Sequence, residues 1–191
     1  VLAHLTRLFR SPSAVLTYYS DEQTNKRLCY IAFAATVISS SIVDATLPVT
    51  DRVACVTAMA RLYDELFAPR CSPTLAAGQG DTSGSNPLSS ACYMWWDILP
   101  LRPGMPHPAG PSPAGAGRDS EALDIAAMAT MRHALELPSI ACQESALHGL
   151  GHWACGYPAE VQAAVDAFLD NSNLHPRLRQ YAGDARAGEV L

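Results

Sequence analysis

The stretch Ser139-Ile140-Ala141-Cys142-Gln143-Glu144-Ser145-Ala146-Leu147-His148-Gly149-Leu150-Gly151-His152-Trp153 decides the fold of this chain. Ser139 is placed to cap a helix whose apolar positions include Ile140, Ala141, Leu147 and Leu150, and Gly156 is placed to stop it after Trp153. Gly149 and Gly151 each cost about 1 kcal/mol in a helix relative to alanine, so their presence implies that another element packs closely over them. Upstream, Asp119 or Ser120 can cap a helix ending at Pro138, with Leu123, Ala127, Met131, Ala134 and Leu135 on one face. Downstream, Pro158 opens a third helix carrying Val161, Ala164, Val165, Phe168 and Leu169, and Pro176 opens a fourth carrying Leu178, Tyr181, Ala182, Ala185 and Val190.

The starts of these helices recur at about 37 to 40 residues, the spacing of a helical solenoid. A helix pair of that size cannot bury both its faces alone, so residues 119–191 are expected to be two helix-pair repeats stacked on each other. The segment Glu144-Ser145-Ala146-Leu147-His148-Gly149-Leu150-Gly151-His152 resembles the inner helix of a HEAT-type repeat. Leu178-Arg179-Gln180-Tyr181-Ala182-Gly183-Asp184-Ala185-Arg186 resembles the same helix one repeat on. The resemblance to HEAT and armadillo proteins implies an all-α fold of antiparallel helix pairs. It also implies a protein-interaction scaffold or adaptor with another protein as partner and no catalysis.

The rest of the chain reads as helices joined by breakers. Leu2 to Phe9 forms a short amphipathic helix. Ser20-Asp21-Glu22-Gln23 is a capping box with acids in the first turn, opening a helix expected to run to about Ser40. Within it, Leu28 to Val43 carries no charge. It falls short of the ~20 apolar residues of a membrane span, so it is expected to be a fully buried central helix, and a membrane partner is not expected. Thr50 or Asp51 caps a further helix, Arg52 to Phe67, stopped by Pro69, and Ala91 to Leu99 is a short apolar helix. Residues 70–90 and 100–118, rich in Gly, Ser and Pro, are expected to be flexible loops or insertions within a single domain, 1–191.

Composition narrows the function classes. Charged residues make up 16% of the chain, against about 25% in an ordinary domain, so much helical surface is expected to be covered. The net charge is -5 and Lys26 is the sole lysine, which argues against nucleic-acid binding. The six cysteines form no CxxC and fit free thiols, hence a cytoplasmic protein. The chain opens at Val1 rather than Met, as expected of a fragment or processed form, and Val1 to Arg10 shows no secretory signal.

Two sets of residues are candidates for function. The aromatic segment Tyr93, Trp95 and Trp96 is a candidate protein-binding anchor, wherever it is exposed, because buried aromatics dominate interfaces. Glu144, His148 and His152, at i, i+4 and i+8, project from one helix face and are candidate metal ligands, with zinc the cofactor such a pair would take. Cys142 and Cys155 flank them, but on a continuous helix Cys142 points roughly 120° away from His148. The alternative function is therefore a metal-binding module or metal-dependent hydrolase using His148 and His152. Against it stands a structural role, in which the histidines hydrogen-bond neighbouring elements. No nucleophile elbow, phosphate loop or dinucleotide fingerprint is present.

Overall fold

The computed structural model describes residues 1–34, 36–73, 86–101, 103, 116–171 and 173–190, and every regular element among them is helical. Helix α1 spans Leu2–Arg10 and buries Leu2, Leu5 and Phe9, one stripe at helical spacing. After the short α2 (Pro12–Leu16), α3 (Asp21–Cys29) starts on the anticipated box, with the Ser20 hydroxyl accepting from the Gln23 amide and the Gln23 side chain accepting from the Ser20 amide. Helix α5 (Val49–Leu62) runs on through a π turn, Tyr63–Phe67, into α6 (Ala68–Arg70). The wider turn brings Tyr63, Leu66 and Phe67 all to the inside, where Tyr63 Oη lies 2.8 Å from Ser145 Oγ.

The uncharged segment after Leu28 departs from expectation. It is not one helix to Ser40: α3 gives way to a π turn at Tyr30–Ala34, then α4 (Thr36–Ser39) and a 3₁₀ turn, Ser40–Ile42. Nor is it fully buried, since Tyr30 is 60% exposed. No helix among the described residues is long and apolar enough to cross a membrane.

Helix starts also trim the expected loops. Helix α7 (Pro87–Tyr93) begins inside 70–90, and α9 (Ala116–Glu136) begins inside 100–118. Of the rest of those stretches, residues 74–85, 102 and 104–115 lie outside the described residues. Ala91 to Leu99 is likewise two elements, because Met94 breaks α7 from the four-residue α8, Trp95–Ile98. Helices α10 (Ile140–Trp153), α11 (Pro158–Leu169) and α12 (Pro176–Ala187) open where Ser139, Pro158 and Pro176 indicated.

The central helix is α10. Its buried residues include Ala141, Cys142 and everything from Glu144 to Gly151, because α9, α12, α7, α8 and α11 all pack on it. On the far side of α9 lie α5 and then α1. Gly149 permits the tightest of these approaches. A Cβ there would stand 2.6 Å from Trp96 Cδ1 and 2.9 Å from Met131 Sδ. A Cβ on Gly151 would meet Val190 at 2.6 Å, where the chain returns after Gly188 ends α12 in the left-handed region at φ 75°. Around Trp96 the core is aromatic: it stacks on Tyr63 and meets Trp153 edge-on, while Trp95 sits between Phe9 and Phe67.

Candidate metal centre

Residues four apart on α10 share a face, so His148 and His152 stand one above the other, their rings 4.7 Å apart at 89°. Both present Nε2 to the same point, and these two nitrogens are 3.2 Å apart. The carboxylate that joins them is Asp97, from α8. Its Oδ2 is 2.7 Å from His148 Nε2 and its Oδ1 is 3.1 Å from His152 Nε2. Asp97 reaches this position because its neighbour Trp96 is seated directly on Gly149, which holds α8 against α10. The ligand atoms of Asp97, His148 and His152 all lie within 4.8 Å of one another, the one such group of three found among the described residues.

Of the three residues expected as ligands, the structure brings His148 and His152 together. Glu144 is buried, but it is not in this group, and Asp97 supplies the carboxylate instead. Neither flanking cysteine joins them. Cys142 is buried near Cys92, and Cys155 is exposed with its thiol toward the His152 carbonyl. All six cysteines are free thiols. The proposed aromatic anchor is also relocated: Trp95 and Trp96 are 0% and 2% exposed and belong to the core. Tyr93 is half-buried with its ring 4.3 Å from that of His148. Only Met94 of that segment is exposed.

A second ring of groups holds the first. His148 Nδ1 is 2.7 Å from the Tyr181 hydroxyl, and Tyr181 Oη is 3.1 Å from Tyr93 Oη. Burial, followed by their mutual hydrogen bond and by the Glu144 and Asp97 charges, pushes the Tyr181 phenol well up; Tyr93 is raised chiefly by burial. Both therefore stay protonated at neutral pH. The His152 imidazole is pushed down, first by burial and also by His148, against an opposing pull from Asp97. It is accordingly kept neutral, with a lone pair to give.

These dimensions suit a metal ion. Two nitrogens each 2.0–2.1 Å from one ion are about 2.8–3.4 Å apart for bond angles between 90° and 109°. The observed 3.2 Å falls inside that interval, as does the 3.1 Å from His152 Nε2 to Asp97 Oδ1, whereas the 2.7 Å from His148 Nε2 to Asp97 Oδ2 is a hydrogen-bond distance that an ion would lengthen slightly. Two imidazoles and one carboxylate favour zinc and its first-row neighbours over calcium or magnesium, which take oxygen ligands. On the solvent side a cleft of about 430 Å³ opens over the three side chains, bordered by Met94, Leu101, Pro103 and Trp153. His152 is 41% exposed toward it, so a further ligand has a way in. Comparison with family models, curated proteins and solved structures finds no significant match to this chain.

Proposed function

We propose that this chain is a divalent-metal-binding helical protein, with Asp97, His148 and His152 as protein ligands and zinc as the preferred ion. The observation that carries the reading is the convergence of two neutral-capable imidazole nitrogens and one carboxylate within 4.8 Å. A metal-free explanation exists, in which both histidines hydrogen-bond Asp97. It gives each histidine its own oxygen of Asp97, Oδ2 for His148 and Oδ1 for His152, and sets their Nε2 atoms 3.2 Å apart with both hydrogens turned to one carboxylate, so the metal content of the purified protein decides between the two. With three protein ligands and an open side, the site has the ligand count of catalytic rather than closed structural zinc centres, and a bound zinc would supply a water acidified to a pKa of about 7. The chain's own residues would hold the ion, keep His148 oriented through Tyr181, and shelter one side of the site with Trp96 and Trp153. The reading is tested by dialysing purified protein against zinc and measuring bound metal by mass spectrometry. About one zinc per chain is expected, lost in His148→Ala; a chain that leaves dialysis without metal would sink it.

A second reading, a HEAT-like scaffold that binds another protein, is favoured by the serial packing of α9 on α10, α10 on α12 and α11 on α12. Its contact surface would be the exposed faces of α11 and α12 rather than Trp95 and Trp96, which the core uses. Hydrogen exchange of those two helices in the presence of a captured partner tests it, protection being the expected result. Both readings are compatible with a cytoplasmic protein.

A further inference from the structure

The hydroxyl pair behind His148 gives the metal reading a mechanical consequence. His148 is 1% exposed and, among the described residues and apart from His152, its ring nitrogens have one partner each in hydrogen-bond range: Asp97 Oδ2 at Nε2 and Tyr181 Oη at Nδ1. An ionised carboxylate only accepts, so without a metal His148 Nε2 carries the proton and donates it to Asp97 Oδ2. In the neutral ring Nδ1 is then the acceptor, and Tyr181 donates its hydroxyl hydrogen to it. Tyr93 Oη, 3.1 Å from Tyr181 Oη, can donate in turn to the oxygen lone pair that Tyr181 has left over.

A metal at Nε2 reverses every step of this chain. The ion takes the Nε2 lone pair, so the neutral ring must carry its proton on Nδ1. Nδ1–H then donates to Tyr181 Oη, and Tyr181 turns its own hydroxyl hydrogen away from the ring. Tyr93 Oη, 3.1 Å from Tyr181 Oη, then becomes the acceptor of that pair, since either hydroxyl can donate to the other. The proton count of His148 is unchanged; one hydrogen moves from one ring nitrogen to the other, and two hydroxyls rotate.

Resting on the metal reading of the preceding section, we infer that Tyr181, backed by Tyr93, is the positioning residue of this centre: its hydroxyl accepts from whichever His148 tautomer the metal requires and donates to the one it displaces. A phenol can do both, whereas a backbone carbonyl or carboxylate at the same place could only accept and would lock His148 in the metal-ready form. The site is therefore built to be stable both empty and filled.

The test is a zinc and cobalt titration of the intact chain, its Tyr181→Phe and Tyr93→Phe variants, and His152→Ala, with ¹⁵N NMR of the histidine rings in wild type with and without zinc. The expected results are a 10- to 100-fold weaker metal affinity in Tyr181→Phe, as for other outer-shell partners, and a smaller loss in Tyr93→Phe. In wild type, His148 is expected to change from the Nε2–H to the Nδ1–H tautomer on loading. Metal affinity within twofold of wild type in Tyr181→Phe, or a His148 ring already Nδ1–H without metal, overturns the inference and leaves the metal reading standing. Wild type that binds neither ion, like His152→Ala, overturns both. Should Tyr181→Phe fail to fold, the tautomer of wild-type His148 still decides the matter.

Discussion

The protein holds two histidine–aspartate contacts of nearly equal length, and they are chemically unlike. On one side of the molecule His133 Nε2 is 2.6 Å from Asp64 Oδ1, both partly exposed, with the Arg61 guanidinium 3.5 Å from the other carboxylate oxygen. On the other, His148 and Asp97 are 2.7 Å apart, with a second imidazole where the first pair has a guanidinium. The two carboxylates are almost equally exposed, 25% and 23%, but the first has a permanent cation beside it and an imidazole that is 37% exposed. The second, among the described residues, is paired with the two imidazoles and no guanidinium or ammonium, and the two Nε2 atoms are aimed at one point. A short His–Asp distance therefore says little by itself; the third group decides whether the pair is a surface tether or a seat for an ion.

The largest expected effect separates the two pairs directly. Asp97→Ala should lose metal by more than the ~10- to 100-fold typical of an outer-shell change, while Asp64→Ala should leave metal content unaltered by elemental analysis. If both variants lose the ion equally, the contrast has no chemical basis. Next in size are two glycine substitutions, read by thermal or urea unfolding. Gly149→Ala forces a methyl into Trp96 and Met131 and should destabilise by about 1–3 kcal/mol. Gly183→Ala on α12 meets nothing within 4 Å and should stabilise by up to ~1 kcal/mol. Equal effects at the two positions would mean that the Trp96 contact is not tight.

The smallest effect concerns pH in the metal-free chain. The folded His152 is pushed below its usual 6.5, so just below that pH the unfolded chain takes up a proton that the native state refuses. Stability should therefore fall as pH drops through that window, and the slope should be shallower in His152→Gln. A slope that steepens in the variant would contradict the burial of this ring.

Much of this arrangement was legible in the sequence, for identifiable reasons. Ser139, Pro158 and Pro176 are local signals acting on the next turn, and the helices begin where they indicate. Gly149 and Gly151 announced a close approach without saying what approaches. The pairing of His148 with His152 follows from helix periodicity alone. Asp97 does not: it lies 51 residues away, across a Pro/Gly-rich connector, and only tertiary packing joins it to α10. One faint signal was present, a lone acid in an otherwise apolar run from Cys92 to Leu99. Glu144 was the nearer choice because periodicity sees only one helix. Periodicity places Tyr181 on an apolar stripe and is silent on its hydroxyl, which reaches His148 Nδ1. The uncharged run after Leu28 misled for the opposite reason: absence of charge does not keep a helix regular, and two changes of helical pitch interrupt it.

Trp96 can rest on Gly149 only because one carbon atom is missing there, and the residue after Trp96 is a proposed ligand. Heredity at these two positions should then be joint. A lineage that gains a side chain at 149 must shrink the indole at 96 in the same step or surrender Asp97's reach to the imidazoles. Relatives of this chain should show glycine paired with a large ring, or a bulkier residue paired with a small one, and two bulky partners together should accompany loss of the aspartate.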